Sequence, residues 1–243
     1  MLGSRKSNNP LINENRINKM TFDMEGYGFM TVKGAIDKTY ILFGILLVTA
    51  YFGFTLANPI LMIAGAIGGL IVVLIAVFKR EKSPILAPLY AGLEGLFIGG
   101  ISAIYAAQYN GIVLQAVILT MSMLVVMLII YRTGIIVVTD KFRAGIIMAT
   151  GGVFLVYLLS FILGFFGINI PYLHEGGMMG IGISVVIIGI AAMNLLLDFD
   201  NFEKGAINGL PQYMEWFFAM GLIITLVWLY IEFLRLLSKL NRD

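Results

Sequence analysis

Residues 214–237 read MEWFFAMGLIITLVWLYIEFLRLL, a run with three charged side chains, Glu215, Glu232 and Arg235, and no proline. At ~1.5 Å per residue a helix of this length crosses the ~30 Å hydrocarbon core of a bilayer. A helix in hydrocarbon needs no polar outer face, whereas a soluble fold of this size does. Six further apolar runs precede it, at 39–57, 60–78, 85–107, 111–130, 145–167 and 180–198. The expectation is an all-α polytopic membrane protein of seven transmembrane helices, 39–243, behind a flexible polar tail, 1–38, that lacks the apolar core of a signal peptide. Asn58 and Pro59 alone separate the first two runs, which predicts a tight hairpin.

Composition agrees. Of 243 residues 60% are hydrophobic and 12% charged, with mean hydropathy +0.95. A soluble domain carries about twice that charged fraction, so soluble enzymes and nucleic-acid modules are excluded. The absence of cysteine removes thiol nucleophiles, disulfides and Cys-based metal sites. A formal charge of +2 points to no polyanionic partner; the partners expected are the bilayer, cations and other membrane proteins.

The placement of the charges is uneven. Lys and Arg fall in the tail (Arg5, Lys6, Arg16, Lys19, Lys33, Lys38) and in the second (Lys79, Arg80, Lys82), fourth (Arg132, Lys141, Arg143) and sixth (Lys204) loops, and are missing from the odd-numbered ones. The bias of basic residues toward the cytoplasm places the N-terminus there. Arg235, Lys239 and Arg242 follow or close the last run, so seven full crossings leave them on the far side and six plus a re-entrant segment would not. Small residues recur every four positions at Ala91, Gly95, Gly99 and Ala103, a stripe suited to close helix packing, as are Gly65 and Gly69.

Function is sought where burial is expensive. An acid near the bilayer centre costs ~2.5 kcal/mol or more unless it is paired or neutralised. Glu94 lies deep in the third run and Glu232 deep in the last; Asp198 and Asp200 close the sixth, and Glu215 opens the seventh. Asp198 and Asp200 point roughly 200° apart on a helix, so at most one faces the interior. A hairpin centred between Lys204 and Pro211 would bring Asp200 toward Glu215, where two poorly solvated carboxylates would share a proton. The competing reading gives Asp198, Asp200, Glu203 and Glu215 interfacial and capping roles, and lets Arg235 pair with Glu232 three residues away. Catalytic alternatives find little: the one histidine, His174, lies in a loop, Ser102 and Ser184 have no evident base, and Lys239 comes too late for a retinal site. No enzyme activity and no cofactor are expected.

Met30-Thr-Val-Lys-Gly-Ala-Ile-Asp-Lys-Thr39, Ala87-Pro-Leu-Tyr-Ala-Gly-Leu-Glu94-Gly, Leu197-Asp-Phe-Asp200, Pro211-Gln-Tyr-Met-Glu215-Trp and Trp228-Leu-Tyr-Ile-Glu232-Phe-Leu-Arg-Leu-Leu237 occur in this order. Together they resemble the Bax inhibitor 1 or YccA-like (transmembrane BAX inhibitor motif) membrane proteins, in particular a bacterial branch with a longer N-terminal tail. The resemblance implies seven helices with the last one central, an inner membrane, and a pH-sensitive leak of Ca2+. It also implies a proton shared between acids of the sixth and seventh helices, which fall here on Asp198 and Glu232, these two being the candidate Ca2+ ligands. An arginine near the second helix latches the closed state in such proteins; Lys79 or Arg80 takes that place. The chain differs in having Glu at the seventh-helix position and a longer stretch between the two acids.

The expected function is therefore a passive Ca2+ leak gated by protonation of buried carboxylates, with Asp198, Glu232, Asp200, Glu215 and Glu94 on the pathway. The alternative is a non-conducting scaffold or regulator that binds other membrane proteins. Seven crossings predict that a reporter fused after Asp243 lies on the side opposite the N-terminus; a reporter found on the same side means six crossings and a re-entrant segment.

Overall fold

The computed structural model describes residues 28–167 and 177–241. Most of the polar tail, His174, Arg242 and Asp243 lie outside the described residues. Among the described residues seven α-helices follow in order: α1 (Val32–Leu56), α2 (Pro59–Phe78), α3 (Ser83–Gln108), α4 (Ile112–Thr133), α5 (Asp140–Phe165), α6 (Met178–Ile207) and α7 (Met214–Leu240). A single 3-10 turn, Arg80–Lys82, joins α2 to α3. All seven helices are long and apolar enough to span a bilayer. Among the described residues the one β feature is an isolated antiparallel bridge, Phe29 with Pro211.

Local chemistry sets the ends. Thr31 is extended and its Oγ1 accepts from the Gly34 amide at 2.8 Å, so α1 opens seven residues ahead of the expected 39. The α1–α2 hairpin closes as expected. Ala57, at φ 44°, returns its amide to the Gly53 carbonyl, and Asn58 Oδ1 accepts from Ile60 N at 2.8 Å ahead of Pro59. The sixth run does not end at its acids. The helix continues to Ile207, because Asp198 and Asp200 both find partners on neighbouring helices.

Helix α7 is the axis of the bundle. Sixteen of its 27 residues are buried, against none in α5, and it packs on α1, α3, α4 and α6. Helix α5 lies mainly along α6 at the periphery. Lys239 Nζ reaches the Gly180 carbonyl and Ser184 Oγ, each at 2.9 Å, while Thr225 Oγ1 donates to Asp198 at 2.7 Å. These contacts fix an antiparallel α6–α7 register. Thr31 at the head of α1 bonds Glu215 at the head of α7, so both helices start at one face and α7 ends at the other. Two of the three basic residues near the C-terminal end, Arg235 and Lys239, are built into the bundle: Arg235 pairs with Glu232 and Lys239 is 4% exposed.

Lipid tails are as apolar as leucine, so association of α1, α2 and α3 rests on close packing rather than on exclusion of water. A Cβ on Gly53 would stand 2.5 Å from the Leu96 carbonyl oxygen, and one on Gly65 2.5 Å from that of Leu93. At Gly99 it would overlap the Ala50 carbonyl and come within 2.7 Å of the Phe54 amide. The small-residue stripe is thus a backbone-to-backbone seam. Gly99→Leu is expected to cost about 1–3 kcal/mol by forced separation of α1 and α3, lowering the thermal midpoint of the purified protein. Gly145→Ala, where a Cβ meets nothing within 4 Å, should leave it within ~0.5 kcal/mol; equal midpoints for the two variants would refute the seam.

Candidate functional site

The acids divide into three settings. At the N-terminal face Glu215, 2% exposed, accepts from Thr31 N at 2.8 Å and Thr31 Oγ1 at 3.2 Å, both at Oε1. Its carboxylate occupies the space a Cβ on Gly34 would need. It therefore caps the positive end of α1, where the macrodipole favours an anion. Just before this cap, Met30 N donates to Leu210 O at 2.8 Å and Gln212 N to Gly28 O at 2.7 Å, tying the segment ahead of α1 to the α6–α7 turn. Arg80 lies 5.2 Å over the Phe217 ring and Lys38 5.4 Å over that of Trp216. Arg80 thus reaches the last helix through an aromatic face rather than an acid. Lys79 caps the end of α2.

About two turns further in, Asp200 is bracketed by Arg143 of α5 and by Lys204, whose Nζ lies at 2.8 Å; Arg143 also donates to Asn201 Oδ1 at 2.8 Å. Glu203 accepts from Tyr131. Asp200 is therefore not beside Glu215. The turn between α6 and α7 is centred later than expected, and the register carries Asp200 toward the middle of α7, well past Glu215. Asp198 points elsewhere, onto the Gly221–Thr225 turn of α7. Both aspartates are engaged, on different helices.

The register also separates the pair implied by the resemblance. Thr225, the partner of Asp198, and Glu232 are seven residues apart on one helix, about 10 Å along its axis. Glu232 consequently lies opposite Ala191, not Asp198. Among the described residues no hydrogen bond joins two carboxylates, and no cluster of three or more potential metal ligands occurs.

What does come together is Glu94 and Glu232. They line one cavity of about 740 Å³ between α3, α5 and α7, with Tyr90, Tyr157, Ser160 and Arg235. Glu232 is 1% exposed. Its Oε1 accepts from Tyr157 Oη at 2.9 Å, Arg235 Nη1 at 3.1 Å and Trp228 Nε1 at 3.3 Å, whereas Oε2 is buried without a partner. Arg235 is held in turn over the Tyr157 ring, 4.6 Å from its centroid. Glu94, 9% exposed, has Tyr90 one turn away on its own helix, and its Oε2 would lie 2.9 Å from a Cβ on Gly69. Gly69 thus leaves the room this carboxylate occupies.

Of the pathway candidates, then, Glu94 and Glu232 share a cavity, while Asp198, Asp200 and Glu215 stand in separate polar contacts. Sequence reasoning missed Tyr157, Arg143, Thr31 and Tyr90. Two signals were available: a lone tyrosine in the apolar run around position 157, and the four-residue spacing of Tyr90 and Glu94.

A family model described as Bax inhibitor 1 like matches residues 5–242. No curated protein matches the chain.

Glu215→Ala removes the acceptor of the Thr31 amide and hydroxyl and is expected to destabilise the head of α1 by about 1–3 kcal/mol. Hydrogen exchange at residues 31–35 should quicken while exchange within α3 stays slow. Unchanged exchange at 31–35 would show that Glu215 does not cap this helix.

Proposed function

Because the chain belongs to the Bax inhibitor 1 like family, we propose that it is a passive cation leak, with Ca2+ as the expected cation, gated by protonation of buried carboxylates. The observation that carries this reading is the cavity that Glu94 and Glu232 line from separate helices. Hard divalent ions take oxygen ligands. The cavity offers two carboxylates together with the hydroxyls of Tyr90, Tyr157 and Ser160.

Ionised, the two acids and Arg235 leave a net negative charge facing the cavity, which draws in a cation; with either acid protonated that attraction is lost. Flux therefore rises as pH is raised. Glu94 and Glu232 take the role that the resemblance gave to Asp198 and Glu232. Asp198 acts on the gate instead, through the bond to Thr225 that holds α6 on α7. Arg80 against Phe217 and Glu215 on Thr31 hold the N-terminal ends of α7 and its neighbours together in the closed form. The basic residues Lys79, Arg80, Lys82, Lys141, Arg143 and Lys204 gather at the face where α1 begins, which supports a cytoplasmic N-terminus. An inner (plasma) membrane location goes with the bacterial branch.

Reconstituted in proteoliposomes, the protein should pass Ca2+ faster as pH is raised. Glu94→Gln and Glu232→Gln should each slow that flux about tenfold, equivalent to ~1.4 kcal/mol, and flatten its pH profile. Wild-type pH profiles in both variants would sink the proposal.

A further inference from the structure

We infer that the cavity between α3, α5 and α7 is a binding site for a protonated lipophilic amine, whose ammonium group is held between the walls that carry Glu94 and Glu232. The inference goes beyond ion conduction and does not need it.

The bonding of Glu232 is one-sided. Three donors converge on Glu232 Oε1 and none reaches Oε2, although the residue is 1% exposed. Glu215 Oε2 is buried without a partner in the same way, so what sets Glu232 apart is the cavity beside it. Tyr157 Oη, Trp228 Nε1 and Arg235 Nη1 are all directed to Oε1, and Arg235 is stacked on Tyr157.

Charge selects the sign of the ligand. Two carboxylates face one guanidinium among the lining residues, so the site with both acids ionised favours a cation and repels an anion. Size and texture select an organic one. At about 740 Å³ the cavity falls within the 300–1,000 Å³ of sites that enclose small organic molecules. Trp228, Phe161, Phe165 and Ile231 supply an apolar wall beside the acids. Trp228 and the tyrosines also offer ring faces to an ammonium group.

The way in lies along α5. This helix has no buried residue, and Phe161 and Phe165, packed edge to face at 4.9 Å, stand at the cavity on its exposed side. A lipophilic amine dissolved in the bilayer would meet that side first.

Phenethylamine, protonated at neutral pH, and its uncharged isostere propylbenzene are suitable probes, titrated calorimetrically into the full chain in lipid nanodiscs with empty nanodiscs subtracted. Saturable binding of phenethylamine and none of propylbenzene is expected. Two variants should each weaken it about tenfold or more, by ~1.4 kcal/mol or above. One is the double variant Glu94→Gln, Glu232→Gln. The other is Gly164→Phe, which adds a ring at the cavity from a position where a Cβ meets nothing within 4 Å and so tests the site should the first variant fail to fold. Absence of saturable binding to the wild type, equal binding of propylbenzene, or wild-type affinity in Gly164→Phe would overturn the assignment. Because no flux is read, a chain that takes the amine yet passes no Ca2+ would refute the leak and uphold this site.

Discussion

Glu232 sits deep along α7 with almost no exposure and gathers a tyrosine, a tryptophan and an arginine onto one of its oxygens. The same necessity recurs at every embedded acid. Removed from water, a carboxylate must be met by donors or give up its charge, and here the donors come largely from other helices. Glu215 is met from α1, Asp198 is met from α7, Asp200 from α5 and Glu232 from α5. In hydrocarbon, apolar contact alone does not say which helix should lie beside which. These polar links supply that information, and the α6–α7 register is set by two of them, at Thr225 and at Lys239.

The bundle has a tight half and a loose half. Where α1 and α2 meet α3, glycines bring backbones into contact, and any added methyl group at Gly53, Gly65 or Gly99 would strike a main-chain atom. Around α5 there is no such seam. The cavity of Glu94 and Glu232 lies where the halves join, with Glu94 on the rigid helix α3 and Tyr157 on the loose one. Its two carboxylates are therefore fixed while one wall is held by few contacts.

Much of this architecture is legible in the sequence. Seven apolar runs and the Asn58–Pro59 hairpin follow from composition and spacing alone, as does the packing role of Gly95 and Gly99. Helix ends were harder, because local apolarity stops where polar residues begin, and those residues here are satisfied inside the fold: α6 runs on through Asp198 and Asp200, and α7 through Lys239. Pairing was harder still. Which acid faces which depends on helix register: Asp198 stands opposite Thr225, two turns short of Glu232, and Asp200 lies two turns past Glu215. The Arg235–Glu232 contact, three residues apart on one helix, needed no register and was readable at once.

The loose seating of α5 has a consequence for the membrane itself. A helix without a buried side chain is held by its polar ties at Arg143, Thr150 and Tyr157, and past Tyr157, toward Phe165, the thickness of the surrounding hydrocarbon bears on where it lies. Thin, short-chain bilayers and thick, sterol-like ones would thus set Phe161 and Phe165 at different heights against α7, and the width of the opening beside Glu232 becomes a property of the lipid as much as of the polypeptide.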